Sequence, residues 1–328
     1  MGNESILITG TGSLIGQAII KSIKRSTLKD RMTVIGCDYF ESTVGSYWCD
    51  KNYLLPDLLK ADQVSAWRRR IYEIIEKEDI KALFIGVDFE LGYLSDMKDD
   101  IEDNYGCKVI VSDRKVIDIG NDKYKTYQFL EDNRLNAPKT ALMDEIKEED
   151  LKFPIVIKPR VGARSRGVSL IGDIESYREL SKECIGKGYI VQEAVGSMDT
   201  EYTCGILYWD GEYRDSIILK RILKAGNTAT AEFNGNKETK IKDYIRSIGD
   251  VLVPFGSCNL QLRVGNDGNP YLFEINPRFS GTTYMRALLG YNEVEYIITC
   301  AMGWETPVMT PISGKVYRYY EETLVGNR

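Results

Sequence analysis

The sequence predicts an α/β parallel-sheet domain at the N-terminus, followed by a longer part of α+β type. In the first 112 residues, short apolar runs alternate with amphipathic stretches, whereas from Phe153 onward strands dominate and occur in adjacent pairs. Alternating strands and helices are typical of a parallel sheet covered on both faces, and adjacent strands joined by short turns are typical of hairpins. A length of 328 residues is also enough for two or three cores.

The first part contains four predicted strands, separated by three helices with apolar residues at helical spacing. The strands are Ser5–Thr9, Met32–Asp38, Lys81–Asp88 and Lys108–Ser112, and the helices are Leu14–Lys24, Trp67–Lys77 and Leu91–Asn104.

The second part begins with a predicted helix at Lys123–Asn133, and two hairpin-like pairs follow further along the chain. One pair turns at Asp210-Gly211, a dipeptide that favours tight hairpin turns. The remaining predicted strands are Phe153–Lys158, Val168–Ile171, Tyr189–Glu193, Tyr202–Trp209, Tyr213–Lys220, Cys258–Val264 and Pro270–Asn276, with helices at Ile174–Ile185 and Glu238–Val253 and a mostly helical, then loose, tail. The change of pattern predicts three domains, at residues 1–115, 116–195 and 196–328.

Composition excludes several classes of function. The chain carries 43 basic and 49 acidic residues, so a nucleic-acid partner is not expected. No apolar run approaches the roughly 18 residues that a membrane span needs, so no membrane partner is expected either. The seven cysteines form no CxxC pair, which is typical of reduced thiols in the cytoplasm. Because there is no histidine, Ser-His-Asp catalysis and His-ligated zinc are excluded.

A glycine-rich turn, Gly10-Thr11-Gly12-Ser13-Leu14-Ile15-Gly16, follows the first strand and opens a helix. Such turns let backbone N–H groups approach a phosphate, and Asp38 stands where a ribose-binding carboxylate would be. The spacing is GxGxxxG rather than GxGxxG. An NAD(P)-binding enzyme is therefore a remote alternative, and a tight structural turn or a substrate-facing loop is the main interpretation.

A polar face is predicted on the strand that ends in Glu274-Ile275-Asn276-Pro277-Arg278. Alternate residues of a strand share a face, so Glu274, Asn276 and Arg278 should point one way and Phe273 and Ile275 toward the core. Gln261, on the preceding antiparallel strand, should lie beside Glu274. Carboxylate and amide oxygens suit Mg²⁺, and Arg278 is placed to stabilise a phosphoryl group. A solvated polar sheet face is the equally weighted alternative.

A basic loop follows the buried strand that ends at Lys158. Residues 159–167 contain two glycines, Ser165 and three arginines, a composition that can enclose phosphates with N–H groups and guanidinium groups. A basic surface hairpin is the alternative. A third element, Tyr189-Ile-Val-Gln-Glu193-Ala194-Val195-Gly196 and then Glu201, could contact an adenine and a ribose, although an ordinary strand end explains it better when it is taken alone.

Together these segments resemble the ATP-grasp superfamily, and within it the short single-unit proteins similar to the carbamoyl-phosphate synthase large chain. The resemblance rests on Asn121-Asp122-Lys123 with Pro138-Lys139-Thr140, on FPIVIKPRVGARSRGV, on YIVQEAV and on NLQLRV…YLFEINPRFSGTT. It implies a pre-ATP-grasp domain, a lid over roughly Leu151–Val195 and a central antiparallel sheet. Gly205 departs from the pattern, because an acidic residue is common there.

The resemblance also implies roles for individual residues. Those expected to bind ATP are Lys123, Lys158, Arg166, Gly167, Glu193, Ala194, Val195 and Glu201; those expected to hold Mg²⁺ (or Mn²⁺) are Gln261, Glu274 and Asn276; those expected to assist catalysis are Arg278 and Lys220, with Arg221 as the alternative to Lys220.

The function so implied is an ATP-dependent carboxylate–amine ligase. It would phosphorylate a small carboxylate and pass the acyl group to an amine. The alternative from another class is an ATP-binding regulatory or partner protein that keeps the fold without ligation. A homodimer is the base-rate expectation for the oligomeric state.

Overall fold

The computed structural model describes residues 3–162, 166–235 and 237–325 of the chain. Ala163, Arg164 and Ser165, which belong to the predicted basic loop, lie outside the described residues.

The N-terminal part forms a parallel sheet, as its alternating pattern predicts, but with five strands instead of four, in the order β3-β2-β1-β4-β5. Its elements are β1 (Glu4–Ile8), α1 (Leu14–Arg25), β2 (Met32–Asp38), β3 (Lys51–Leu54), α2 (Val64–Lys77), β4 (Ile80–Phe84), α3 (Leu91–Tyr105) and β5 (Lys108–Ile110). The predicted strand Lys81–Asp88 ends early, at Phe84. At Gly86 the chain passes so close to β1 that an added Cβ would lie 2.2 Å from the Thr9 carbonyl oxygen.

Two helices, α4 (Arg114–Asn121) and α5 (Lys123–Asp132), connect this sheet to the rest of the chain. Asp122 caps α5, because its carboxylate accepts hydrogen bonds from the backbone N–H groups of Tyr124 and Lys125. Val116 and Leu130 are buried in the core beneath the large C-terminal sheet. Both helices therefore pack against the C-terminal part, while α5 also contacts β6 of the small sheet and Ile117 of α4 is buried in the N-terminal core.

The middle part is an antiparallel sheet of four strands in the order β6-β9-β7-β8. It consists of β6 (Thr140–Leu142), β7 (Ile155–Pro159), β8 (Ser169–Ile171), α6 (Ile174–Cys184) and β9 (Tyr189–Glu193). Ile155, Ile157 and Val191 alternate toward α6, where they form a small separate core with Tyr177. This sheet occupies the region predicted to be a lid.

The C-terminal part is an antiparallel sheet of six strands in the order β14-β13-β10-β11-β12-β15. Its elements are β10 (Glu201–Trp209), β11 (Glu212–Lys224), β12 (Asn227–Phe233), α7 (Thr239–Leu252), β13 (Gly256–Val264), β14 (Pro270–Asn276), α8 (Thr283–Leu288), α9 (Glu293–Ala301) and β15 (Gly314–Tyr317). The predicted loose tail returns as β15 and pairs with β12. β14 lies at the sheet edge and ends before Pro277, as the missing proline N–H predicts.

The parts share cores rather than only touching. Val294, Ile297 and Ile298 of α9 are fully buried in one cluster with Ile19 and Ile23 of α1. The predicted boundary at residue 115 falls within α4, and the one at 195 falls between β9 and β10. None of the helices in the described part of the chain is long and apolar enough to cross a bilayer.

Candidate active site

The three residues predicted to hold a metal ion converge at one edge of the C-terminal sheet. In the register of β13 and β14, Gln261 faces Glu274 and Asn259 faces Asn276. The Asn276 Nδ2 atom donates to Glu274 Oε1 at 3.0 Å, and the Gln261 Nε2 atom lies 3.5 Å from the same oxygen. The polar face predicted from sequence is therefore a cluster that lines a cavity and not a solvated sheet surface.

Arg278 extends this cluster toward the N-terminal domain. Its Nη2 atom donates to Asn276 Oδ1 at 2.9 Å, and its Nη1 atom donates to the Phe279 carbonyl oxygen at 2.9 Å. Its Nε atom donates to Asp88 at 2.5 Å, across the gap between the two domains. A guanidinium group held on three sides keeps a fixed orientation beside the carboxylate and amides.

A cavity of about 620 Å³ opens between the middle sheet and the C-terminal sheet. Seven of the eight residues predicted to bind ATP line it, as do Gln261 and Glu274: the seven are Lys123, Lys158, Arg166, Glu193, Ala194, Val195 and Glu201. The eighth, Gly167, follows Arg166 with φ of 70°, and an added Cβ there would lie 3.0 Å from the Pro159 side chain. Val156, Leu170 and Phe273 contribute apolar walls. The volume and mixed lining are typical of a small-molecule site.

Lys158 presents its ammonium group deep in this first cavity. The side chain is 5% exposed, and Nζ donates to Gln192 Oε1 at 2.8 Å. Burial lowers the pKa of Lys158 to about 7, although the nearby Glu274 carboxylate acts in the opposite direction. A buried ammonium without a carboxylate in contact is a favourable position for an anionic group such as a phosphate.

The basic loop is held to α5 by its first residues. Arg160 Nε donates to both carboxylate oxygens of Asp122, at 2.8 and 2.7 Å, and Lys123 Nζ donates to the Gly162 carbonyl oxygen at 2.9 Å. The hydrogen bonds from Arg160 to the Asp122 carboxylate raise the pKa of Arg160. Arg160 and Lys123 thus fix the base of the loop, and Arg166 lines the cavity.

Glu201 is in the cavity wall, but its oxygens already have partners. Oε1 accepts from Arg221 Nε at 2.8 Å, and Oε2 accepts from Arg263 Nε at 2.9 Å. A direct ribose contact by Glu201 would compete with these ion pairs. In this arrangement the carboxylate orients two arginines that line the same cavity.

Arg221, and not Lys220, faces the cleft. Arg221 lines the cavity and donates through Nη2 to Gln261 Oε1 at 2.7 Å. Successive side chains of a strand point to opposite faces, so Lys220 shares the face of Ile218, which packs with α7. The prediction of Lys220 as a cleft residue is corrected to its neighbour.

Phe273 also departs from its prediction. Gln261 pairs with Glu274 while Leu262 pairs with Leu272, so Phe273 is the extra residue of a β-bulge. The bulge turns the Phe273 ring into the first cavity, where Lys158 Nζ lies 5.4 Å from the ring centroid. Of Phe273 and Ile275, which were both predicted to point toward the core, only Ile275 is there. A bulge leaves no signal in strict alternation, so the sequence did not identify this residue.

A second cavity, of about 590 Å³, adjoins the first on the side of the N-terminal domain. Arg166, Arg221, Gln261 and Glu274 line both cavities, so two of the three predicted metal ligands belong to a common wall. The lining of the second cavity also includes Ser13 to Ile15 at the start of α1, Gly86 to Phe89 after β4, and Ser280 to Thr282 before α8.

The N-terminal glycine turn is closed to a dinucleotide. The Asp38 carboxylate is 3% exposed and accepts the backbone N–H of Gly12 at 2.7 Å and that of Tyr39 at 2.7 Å. The Thr43 side chain covers Gly12, since an added Cβ at Gly12 would lie 2.6 Å from Thr43 Cγ2. The carboxylate that an NAD(P) ribose would need is thus used by the turn itself.

The donor set fits a magnesium ion that shares its coordination with phosphates. Gln261, Glu274 and Asn276 offer one carboxylate and two amide oxygens, which are hard ligands. The described residues contain no group of three or more His, Cys, Asp and Glu side chains able to hold a metal. An ion here would therefore need oxygen atoms from a bound nucleotide as well.

Comparison with known proteins supports this interpretation. Residues 120–282 match the family of the ATP-grasp domain. The chain is 22% identical over 250 residues to a carbamoyl-phosphate synthase of Methanobrevibacter smithii, an alignment that covers 70% of this chain and 65% of that protein. The chain therefore spans slightly less than two thirds of that relative's length.

Two solved structures share the fold over almost the whole chain. N5-carboxyaminoimidazole synthetase from Staphylococcus aureus, complexed with ADP, superposes with a TM-score of 0.71 at 14% identity, covering 94% of this chain and 79% of that one. L-amino acid ligase from Bacillus licheniformis superposes with a TM-score of 0.71 at 15% identity, covering 92% and 75%. At these identities the superpositions establish the fold, including the parallel N-terminal sheet and the later antiparallel sheets.

Proposed function

The chain belongs to the ATP-grasp superfamily, and from that premise we propose that it is an ATP-dependent ligase that activates a small carboxylate and transfers the acyl group to an amine. The observation that carries the proposal is the common wall between the two cavities. Glu274, Gln261 and Arg221 line both the cavity that suits a nucleotide and the one beside it. A nucleotide in the first and a carboxylate in the second would meet at this wall.

The residues of the first cavity would bind ATP by charge and shape. Lys158, Lys123 and Arg166 place cations along one wall, where the triphosphate would lie, and Phe273 and Leu170 provide apolar surface for adenine. Glu193 lies at the end of β9, next to half-buried Ala194 and Val195, whose backbone is at hand for the base. Positioning and charge neutralisation supply most of the acceleration in phosphoryl transfer.

Gln261, Glu274 and Asn276 would hold the magnesium ion, which when bound neutralises phosphate charge during transfer. Arg221 orients Gln261, and Arg278 orients Asn276, through the hydrogen bonds described above. The amide oxygens face these arginines and the amide NH2 groups face Glu274, so both amides would have to turn when an ion binds at Glu274.

The second cavity would bind the carboxylate. A carboxylate is ionised at neutral pH, so attack of its oxygen on the γ-phosphorus needs no base, which suits a chain without histidine. The step forms a carboxyl oxygen–phosphorus bond and releases ADP. The amine then forms the bond to the acyl carbon, and phosphate leaves with the carboxyl oxygen. Arg278 is placed to stabilise the charge on the acyl phosphate.

The test is an ADP-release screen in which carboxylates are paired with amines, and hydroxylamine serves as a general acceptor. A hit is repeated with the carboxylate labelled with ¹⁸O on both oxygens. One labelled oxygen in the released phosphate, together with one hydroxamate per ADP, is the expected result.

Two outcomes would contradict the proposal. ATP binding with no ADP release across the panel would favour the regulatory or partner protein. Released phosphate without label would exclude an acyl phosphate. A homodimer remains a prediction, to be measured separately by light scattering.

A further inference from the structure

Arg318 reaches into the second cavity from the segment that follows β15. Its backbone N–H donates to the Ala229 carbonyl oxygen at 2.8 Å, which continues the pairing of β15 with β12. Its side chain crosses to the loop before α8, where Nη2 donates to the Gly281 carbonyl oxygen. Arg318 lines the second cavity together with Ser280 and Thr282, and it also lines a neighbouring cavity of about 450 Å³.

Within the described residues, the guanidinium group of Arg318 lacks an ion-pair partner. Its Nη1 atom is buried and has no hydrogen-bond partner. Among the residues that the structure describes, no carboxylate lies within ion-pair distance of it. Burial lowers the pKa of Arg318, and no neighbouring carboxylate raises it. A buried charge without a partner is costly, so it is retained where something supplies the missing anion.

Two of the other arginines that line this cavity, Arg221 and Arg278, have carboxylate partners. Arg221 pairs with Glu201 at 2.6 Å, and Arg278 pairs with Asp88 at 2.5 Å. Ser280 and Thr282 satisfy each other through a hydroxyl contact of 2.6 Å. Arg318 Nη1 is therefore a buried guanidinium nitrogen at this cavity that has no hydrogen-bond partner among the described residues.

The distance between the guanidinium groups of Arg318 and Arg278 is limited because each donates a hydrogen bond to a backbone carbonyl oxygen of the same loop. Arg278 donates to the Phe279 carbonyl and Arg318 to the Gly281 carbonyl, two residues further along one loop. Two residues span at most about 7 Å, so a molecule with a few carbon atoms between two charged ends could reach both guanidinium groups.

We propose that the small molecule activated in the second cavity carries two anionic groups, and that Arg318 binds the one that does not react. This inference rests on the proposed ligase function, since it assigns the other group, a carboxylate, to the reaction near Arg278. The second group is a carboxylate or a phosphate, because both present the oxygen pair that a guanidinium group prefers. Arg318 is then a specificity determinant rather than a catalytic residue.

The experiment uses matched pairs of compounds that differ only in the second anionic group. Succinate and succinamate, glutarate and glutaramate, aspartate and asparagine, and glutamate and glutamine test a carboxylate. 3-Phosphoglycerate and glycerate test a phosphate. ADP release with hydroxylamine as acceptor gives kcat/KM for each member, and we expect at least one charged member to exceed its neutral partner by about tenfold to a hundredfold.

Three variants assign that preference to Arg318. Arg318→Gln should reduce the ratio to about one, and Arg318→Lys should keep part of it, because the charge remains but the paired geometry is lost. Arg25→Gln removes an exposed arginine that lines only the neighbouring cavity of about 450 Å³, and it should leave the ratio unchanged. Unchanged melting temperatures and KM for ATP in these variants would separate recognition from folding.

The outcomes separate the two proposals. A wild-type ratio near one for every active pair, a ratio that survives Arg318→Gln, or a ratio abolished by Arg25→Gln would overturn the role of Arg318 while leaving ligation intact. If no compound releases ADP, ligation fails instead. Calorimetric titration of the same pairs in the presence of MgADP then decides: binding of a charged member that Arg318→Gln abolishes supports the inference, and absence of binding to the wild type overturns it.

Discussion

Lys158 lines the proposed nucleotide site, and the charge state of its ammonium group changes near neutral pH. Burial lowers its pKa to about 7, so a growing fraction is neutral as the pH rises above that value. A phosphate binds the charged form, and binding to a phosphate would return the pKa toward its usual value. Affinity for MgATP should therefore depend on pH above neutrality.

We predict that the Kd of the wild type for MgATP rises between pH 7 and pH 9, approaching about tenfold per pH unit. Lys158→Arg, which stays protonated, should show a much flatter profile. Calorimetric titration at several pH values measures both. Parallel profiles in the two proteins would mean that another group, or the nucleotide itself, is responsible.

Glu90 is the corresponding acidic case, in the N-terminal domain. It is fully buried and accepts hydrogen bonds from Thr9 and from Tyr39, the latter at 2.6 Å. Burial raises its pKa to about 7, although both hydrogen bonds act in the opposite direction. The folded protein therefore holds a proton that the unfolded chain has already released between about pH 4.5 and 7.

Since the folded state binds the extra proton, the free energy of unfolding should fall as the pH rises through this window. Relative to Glu90→Gln, which cannot titrate, the wild type should lose up to about 3 kcal/mol between pH 4.5 and 7.5. Urea denaturation at each pH gives the difference. If the difference between the two proteins does not change with pH, Glu90 is ionised throughout.

At this scale, the sequence predicted the residues that stand at regular strand positions. Lys158, Gln261, Glu274 and Asn276 are where alternation and strand ends place them. The prediction that Phe273 points toward the core was wrong, because a β-bulge breaks the alternation of side chains at that residue. The partners of Arg318 and Glu201 come from other strands and loops, which a single sequence does not relate.

The packing of α8 against β10 depends on a glycine in β10, because the Arg286 side chain of α8 lies directly over Gly205. Arg286 and Glu293 form a fully buried ion pair at 3.0 Å, and Arg286 also donates to Asn259 in the wall of the second cavity. An added Cβ at Gly205 of β10 would lie 2.5 Å from Arg286 Nη1. A side chain at this position would therefore have to displace the guanidinium group of Arg286.

Gly205→Ala should therefore displace the guanidinium group and lower the free energy of unfolding by about 1–3 kcal/mol. Gly172→Ala is the matched control, because an added Cβ at Gly172 meets nothing within 4 Å. The control should change stability by no more than about 0.5 kcal/mol. Equal stability of the two variants in chemical denaturation would show that the buried pair tolerates the methyl group.

Among the elements, long periodic segments were predicted well and short ones were missed. The helices at Leu14, Lys123 and Ile174 begin where the sequence places them. The structure adds β3, β6 and β15, which have three or four residues each and are mostly half-exposed or exposed. It also adds β12, a strand of seven residues of which only three are buried. Such strands lack an apolar run, and pairing with a neighbour, not their own pattern, defines them.

At the scale of the whole molecule, the first cavity exists only when three parts of the chain come together. Lys123 comes from α5, Lys158 from the middle sheet and Glu274 from the C-terminal sheet. The order of motifs along the chain predicted these parts but not their packing. The shared cores, in which α4 and α5 join the last sheet and α9 joins α1, could not be inferred from sequence spacing.

In the proposed function, Glu274 would hold a magnesium ion against the triphosphate in this assembled cavity. Glu274→Gln keeps the shape of the side chain and removes its charge, and Glu179→Gln makes the same change at an exposed position on α6. The decisive measurement is the rate of ADP release from MgATP with a saturating carboxylate and amine. We predict a loss of at least about a hundredfold in Glu274→Gln and wild-type rates in Glu179→Gln. Full activity in a folded Glu274→Gln protein would contradict the claim.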